Sequence, residues 1–216
     1  MWVNLSHAWK ECFEQAWISY CNGSFPIGAA ITDENGRVIS AGRNKVYEKS
    51  QENGQVCNNK IAHAEINAIL KIDNLETNQN RKRYSIYSTM EPCALCFGAI
   101  VMSSIKNIHY AAGDGLAGAT NLVNGNDYIT GKSISVHGPH KELEIAQLVL
   151  KTDFVLRRGH DVERIITPWR MDCPIGVELG ERWFSNGTLQ TAKQDGKPFG
   201  EIFEDIKKEA RRTLKI

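Results

Sequence analysis

Residues 84–112 read YSIYSTMEPCALCFGAIVMSSIKNIHYAA. Tyr84 to Ser88 alternates as a strand and runs on through Thr89 and Met90; a helix follows from about Cys93 to Ser104, and Asn107 to Ala112 is the next strand. A strand, a helix and a strand joined by so short a return form a parallel crossover. Upstream, Ile27 to Thr32 and Arg37 to Ala41 read as strands joined by Asp33-Glu34-Asn35-Gly36, a hairpin signal that brings antiparallel pairing. With Ser133 to Val136 as a last strand, the sheet is mixed and five-stranded. Helices at Met1 to Cys21, about Ala62 to Ile72 and about Lys141 to Leu156 cover it, so the expected fold class is an α/β three-layer sandwich, α/β/α, plus a helical C-terminal extension.

The same stretch carries chemistry. Cys93 and Cys96, three apart, share one face of a first helical turn, and Pro92 suits the first helical position. Earlier in the chain stand His63-Ala64-Glu65. Residues two apart on a helix point nearly opposite ways, since each step turns about 100°. His63 and Glu65 therefore reach one point only if it lies off the helix N-terminus. Two helix N-termini are expected to converge, where their positive ends favour thiolates. One histidine and two thiolates leave a tetrahedral zinc with an open position, the mark of a catalytic site. A closed structural site needs a fourth protein ligand, yet Cys12, Cys21, Cys57 and Cys173 are scattered singly. A redox pair leaves His63 and Glu65 unexplained. The metal ligands are expected to be His63, Cys93 and Cys96, with Glu65 free to carry protons.

The pattern H-x-E followed by P-C-x-x-C is the signature of zinc-dependent nucleobase deaminases. Through it the chain resembles the cytidine-deaminase-like superfamily. The run Thr89 to Ile100 is closest to the branch of tRNA adenosine deaminases and bacterial guanine deaminases, and Phe25-Pro26-Ile27-Gly28-Ala29-Ala30 and Gly42-Arg43-Asn44 fit the same branch. The resemblance covers about the first 130 residues. It implies one Zn²⁺ per chain and hydrolytic removal of an exocyclic amine, with Glu65 as the catalytic proton carrier. It also implies substrate contacts from Asn44, Phe25, Glu91 and the backbone N–H of Ala64. Standing alone, Asn44 reads as a turn asparagine and Phe25 as a cap on the core. The substrate class stays open between a free purine base or nucleoside (such as guanine or guanosine), tRNA adenosine and a cytosine-type pyrimidine. A non-enzymatic binding module has no use for Glu65.

Composition narrows the rest. At 216 residues the chain is one generous domain or a domain with an extension, divided here as a deaminase domain over 1–138 and a mostly helical extension over 139–216 packed on it. Lys and Arg number 26 against 25 acidic residues, so no global field recruits nucleic acid, and the runs Arg81-Lys82-Arg83 and Lys207-Lys208 with Arg211-Arg212 read as solvated faces. This favours a small-molecule substrate over tRNA. Trp2, Leu5, Trp9, Phe13, Ala16, Trp17 and Tyr20 form one helical stripe near the start, which is a packing helix rather than a leader. No apolar run is long enough for a membrane. Six cysteines in such a chain fit a reducing cytoplasm, and a homodimer is expected. Residues 45–60 and Asp73 to Asn80 read as polar loops. In the tail, Ile165-Ile166 and Pro168-Trp169-Arg170 are expected to break the helical pattern before a final amphipathic helix from Phe199 to Leu214. Trp169, Trp183 and Phe184 read as core residues, with a lid over the substrate as the lesser alternative.

Overall fold

The fold is described by a computed structural model, which covers residues 2–50, 54–72 and 78–214. Met1, parts of the expected polar loops (51–53 and 73–77), residues 215–216 and the side chains of Asn78, Gln79 and Leu214 lie outside the described residues. The elements in chain order are α1 (His7–Cys21), β1 (Gly28–Thr32), β2 (Val38–Arg43), α2 (Ala64–Ile69), α3 (Asn78–Arg81), β3 (Ser85–Met90), α4 (Ala94–Met102), β4 (Asn107–Ala112), α5 (Asp127–Thr130) and β5 (Ser135–His137). The tail adds α6 (Lys141–Arg158), α7 (Val162–Asp172), α8 (Pro174–Asn186), α9 (Thr188–Gln194) and α10 (Phe199–Leu214).

The sheet runs β2-β1-β3-β4-β5. β1 pairs antiparallel with β2 and β3, while β3–β4 and β4–β5 are parallel. The mixed five-stranded sheet expected from residues 84–112 is therefore present. Its hairpin closes because Asp33 Oδ1 accepts from the N–H groups of Asn35 and Arg37, each at 2.9 Å, while Gly36 takes φ +76° without a Cβ penalty.

Two apolar clusters define the faces. One gathers Trp9, Phe13, Ala16 and Trp17 of α1 with Met90, Ala111 and Leu148, Val149 and Leu150 of α6. The other gathers Ala64 and Ala68 of α2 with Ile31, Ile86, Ile108 and Phe97 and Ile100 of α4. Three layers result. α1 starts cleanly because Ser6 accepts from Trp9 N–H, and its stripe at helical spacing is what it buries. Close packing of α2 depends on Gly42, where a Cβ would stand 2.3 Å from the Ala68 backbone nitrogen.

The tail departs from expectation at one point. Pro168 sits inside α7 rather than breaking it. A proline there removes one intrahelical bond, but Ile166 and Trp169 are buried at the shared core with Val162 and Ile165 packed beside them, and that stripe needs helical spacing throughout. The observed tail is four helices after α6, with α8 lying so close to α6 that a Cβ on Gly180 would reach 2.6 Å from Thr152 Cβ. The last helix returns to the first: Phe199 stacks on Phe13 at 5.2 Å, and Trp2 meets Phe199 edge-on at 5.6 Å. No described helix is long and apolar enough to cross a membrane.

Candidate active site

His63 is the N-cap of α2 and Cys93 the N-cap of α4, both with extended backbone. Pro92 therefore precedes the cap instead of occupying the first helical turn. The reason is local: Pro92 C=O accepts from Ala119 N–H at 3.0 Å and Cys93 pairs with Gly118, so the chain stays extended through Cys93. Cys96 lies in the first turn of α4, and Glu65 is the second residue of α2. The two helix starts meet. His63 Nδ1 stands 3.6 Å from Cys93 Sγ and 3.4 Å from Cys96 Sγ, and the three ligand atoms all lie within 4.8 Å of one another.

These spacings suit zinc. Tetrahedral bonds of about 2.3 Å to sulfur and 2.0 Å to nitrogen put a nitrogen and a sulfur about 3.5 Å apart, as observed. The donor set, two sulfurs and one imidazole, is the one zinc prefers. Hydrogen bonding from Cys96 brings the Cys93 thiol down to about 4, against opposing burial and with help from His63. The same pairing pushes Cys96 well up, reinforced by burial. His63 is raised, chiefly by Cys93. One thiolate is already favoured here, and a cation would draw out the second.

Glu65 is buried against this cluster. Its Oε1 accepts from Ser88 Oγ at 2.9 Å and its Oε2 from Cys96 Sγ at 3.3 Å. Burial raises its carboxyl above the ordinary range, with His63 opposing. The residue is held from both sides, since Ser88 belongs to β3 and Asn67 of α2 ties the helix to Arg43 and Val56 carbonyls at 3.0 and 3.1 Å.

A cleft of about 240 Å³ opens on these residues. Phe25, Asn44 and Glu91 line it with His63, Glu65 and Cys93, so the sequence brings them to one place. Asn44 has its amide oxygen committed, accepting from Val46 N–H at 3.1 Å, which leaves its NH₂ group as the donor. Asn44 thus makes a turn contact and lines the cleft at once. Glu91 spends its carboxylate on the protein: it accepts from Asp114 and Thr120 N–H at 3.1 Å each, and from Thr120 Oγ1, holding the loop after β4. Ala64 buries its methyl group in the core and is absent from the cleft wall, so only its backbone N–H at the start of α2 faces that end. A larger hollow of about 300 Å³ between α6 and α10 is apolar, and its rim charges Lys207 and Glu142 already pair at 2.8 Å.

Sequence reasoning missed the opposite wall. Lys151 of α6 and Ile165 and Trp169 of α7 line the cleft. Trp169 is buried and donates from Nε1 to Asp114 Oδ1 at 3.2 Å, so it is core and cleft wall at once. The available signal was α6 itself, which carries apolar residues on every side between Leu143 and Val155; such a helix is buried all round, and a lysine within it must be buried too.

The family model of the cytidine and deoxycytidylate deaminase zinc-binding region matches residues 4–112. The chain belongs to this family of zinc-dependent deaminases. Among its relatives, a tRNA-specific adenosine deaminase of Rickettsia bellii (strain RML369-C) is 39% identical over 111 residues, spanning 51% of this chain and 71% of that protein. A cytosine deaminase of Candida albicans (strain SC5314 / ATCC MYA-2876) is 29% identical over 99 residues, 46% of this chain and 60% of that protein. A solved structure of a guanine deaminase from Nitrosomonas europaea is 20% identical, covers 68% of this chain and 82% of its own, and superposes with a TM-score of 0.47.

Proposed function

We propose that the protein hydrolytically deaminates a free nucleobase or nucleoside, a purine such as guanine or guanosine. In this reading His63, Cys93 and Cys96 hold the zinc, Glu65 carries the protons, and residues 1–138 form the deaminase domain with 139–216 as a helical extension packed on it. The observation that carries it is the meeting of His63, Cys93, Cys96 and Glu65 at two helix starts inside a cleft no larger than a small ligand needs.

A zinc held by His63, Cys93 and Cys96 would supply a water polarised for attack near neutral pH. Overall, the base and one water give the oxo base and ammonia. Glu65 would take the first proton of that water to the ring nitrogen and its second, from the hydroxyl left on the ring carbon, to the departing amine; burial that raises its carboxyl suits it to hold a proton between transfers. Asn44 donates to the base through its NH₂, and Phe25 and Trp169 offer ring surface in the cleft wall. The free thiols of all six cysteines support a reducing compartment such as the cytoplasm.

The names of the relatives favour a second reading, adenosine in tRNA. Against it, α7 closes the side of the cleft, and two basic groups of the runs that would meet RNA are already paired, Arg83 with Glu34 and Lys207 with Glu142. Ammonia release from guanine, guanosine, adenine, adenosine, cytosine and cytidine, run beside inosine formation in a tRNA anticodon stem-loop, tests the reading. Activity on the stem-loop with none on the small compounds overturns it.

A further inference from the structure

Lys151 is 6% exposed and lines the same cleft as His63 and Glu65. Its Nζ faces the Phe25 ring at 4.7 Å and the Trp169 ring at 5.0 Å. Among the described residues no acceptor lies within hydrogen-bond or ion-pair reach of it. Ring faces attract an ammonium but satisfy none of its three N–H donors. Asp114 is nearby and acts on Lys151 through its charge, yet its Oδ1 is taken by Trp169 Nε1 and by the N–H groups of Leu116 and Ala117. Nζ opens on the cleft rather than being sealed in the core, and its acceptor is water or a ligand that displaces that water.

We propose that Lys151 is a specificity residue that donates to an oxygen carried by the substrate base itself, which makes the substrate an amino-oxo base of the guanine or cytosine type and disfavours adenine. The inference rests on the deaminase reading above. Three observations direct the donor to a base carbonyl. The walls beside Nζ are rings that fit a flat heterocycle, and they add no second donor of the kind a phosphate needs, since Trp169 Nε1 is already used. The cleft, at about 240 Å³, sits at the small end of ligand sites. Lys151 is close enough for its charge to act on both His63 and Glu65, so one base can touch the amine and the proton carrier together. Burial lowers Lys151, with the charges of Asp114 and Glu65 opposing. The residue lies beyond the stretch 4–112 shared with the family, so this wall belongs to the tail of this chain.

The test uses pairs that lack the exocyclic amine and differ by one oxygen: hypoxanthine against purine, and pyrimidin-2-one against pyrimidine. Binding to the purified protein is measured by calorimetry. The wild type is expected to hold the oxygen-bearing member of at least one pair about ten- to a hundredfold more tightly, the range for a hydrogen bond to a charged group. Lys151→Met keeps the stem length, and it should reduce that ratio to about threefold or less with zinc content unchanged. No preference in either pair, or a ratio that Lys151→Met leaves intact, overturns the inference. Should Lys151→Met fail to fold, Lys151→Leu is read against the same wild-type ratio. Absence of ammonia from every base and nucleoside overturns the small-substrate reading instead, while the binding ratios stay readable.

Discussion

Replacing Glu65 by glutamine removes one ionisable oxygen and little else. Glutamine is isosteric, its amide oxygen can still accept from Ser88 Oγ where Oε1 does at 2.9 Å, and its NH₂ can face Cys96 Sγ where Oε2 now lies at 3.3 Å. The cluster of His63, Cys93 and Cys96 is complete without it. Fold and zinc should therefore survive, and the melting temperature should hold or rise, because a buried ionisable group has been removed. Proton transfer should not survive. General acid–base catalysis contributes about 10²- to 10⁴-fold, so the barrier should rise by about 3–5 kcal/mol at 1.36 kcal/mol per tenfold. Ammonia release from the best substrate, zinc by elemental analysis and a thermal melt together decide the matter. A rate within about tenfold of wild type would remove Glu65 from the proton path. Loss of zinc from a folded variant would make Glu65 a ligand.

Cys93→Ser should lose zinc and melt at a lower temperature, because metal affinity is linked to folding, and elemental analysis with a melt reads both. Asn44→Asp keeps the acceptor for Val46 N–H but removes the NH₂ donor, so kcat/KM should fall about tenfold at unchanged zinc content; a loss of stability alone would return Asn44 to its turn. Tyr20→Phe takes a donor from Asp153, which is fully buried and otherwise bonded to Arg157 at 2.7 and 2.9 Å, and should cost about 1.5–3 kcal/mol in a denaturant titration. His109 is stacked between Tyr87 and His137, and burial, with His137 and His140 adding to it, lowers it from 6.5 to about 4. A histidine depressed in the fold binds its proton more readily when unfolded, so stability should fall as pH drops from 6.5 towards 4. His109→Gln should flatten that limb of the melting temperature against pH; an unaltered limb would show that other groups set it.

The catalytic half was legible because its signals are local. Alternation over 84–88, the tight hairpin at Asp33 to Gly36, and the spacing within the pairs His63/Glu65 and Cys93/Cys96 each depend on neighbours within one or two turns of chain. From them the mixed sheet, the two converging helix starts and the zinc donor set follow. Boundaries were less legible. Pro92 and Cys93 stay extended because of Gly118 and Ala119, which lie about 25 residues away, and no local rule contains that pairing.

The tail shows the other limit. Pro168 reads as a helix breaker by its own chemistry, yet the burial of Ile166 and Trp169 keeps α7 helical around it. Glu91 lines the cleft as a substrate contact would, and only the tertiary structure shows that its oxygens also hold the loop after β4. Lys151 drew no functional reading from the sequence; α6 is enclosed by the sheet on one side and α8 on the other, and this places Lys151 in the cleft wall. The sequence by itself determined which atoms are available for chemistry, because ligand type and short spacing are written along the chain. Tertiary structure decided which of those atoms are already spent and which residues stand opposite them, because burial and partnership arise between segments that sequence order keeps far apart.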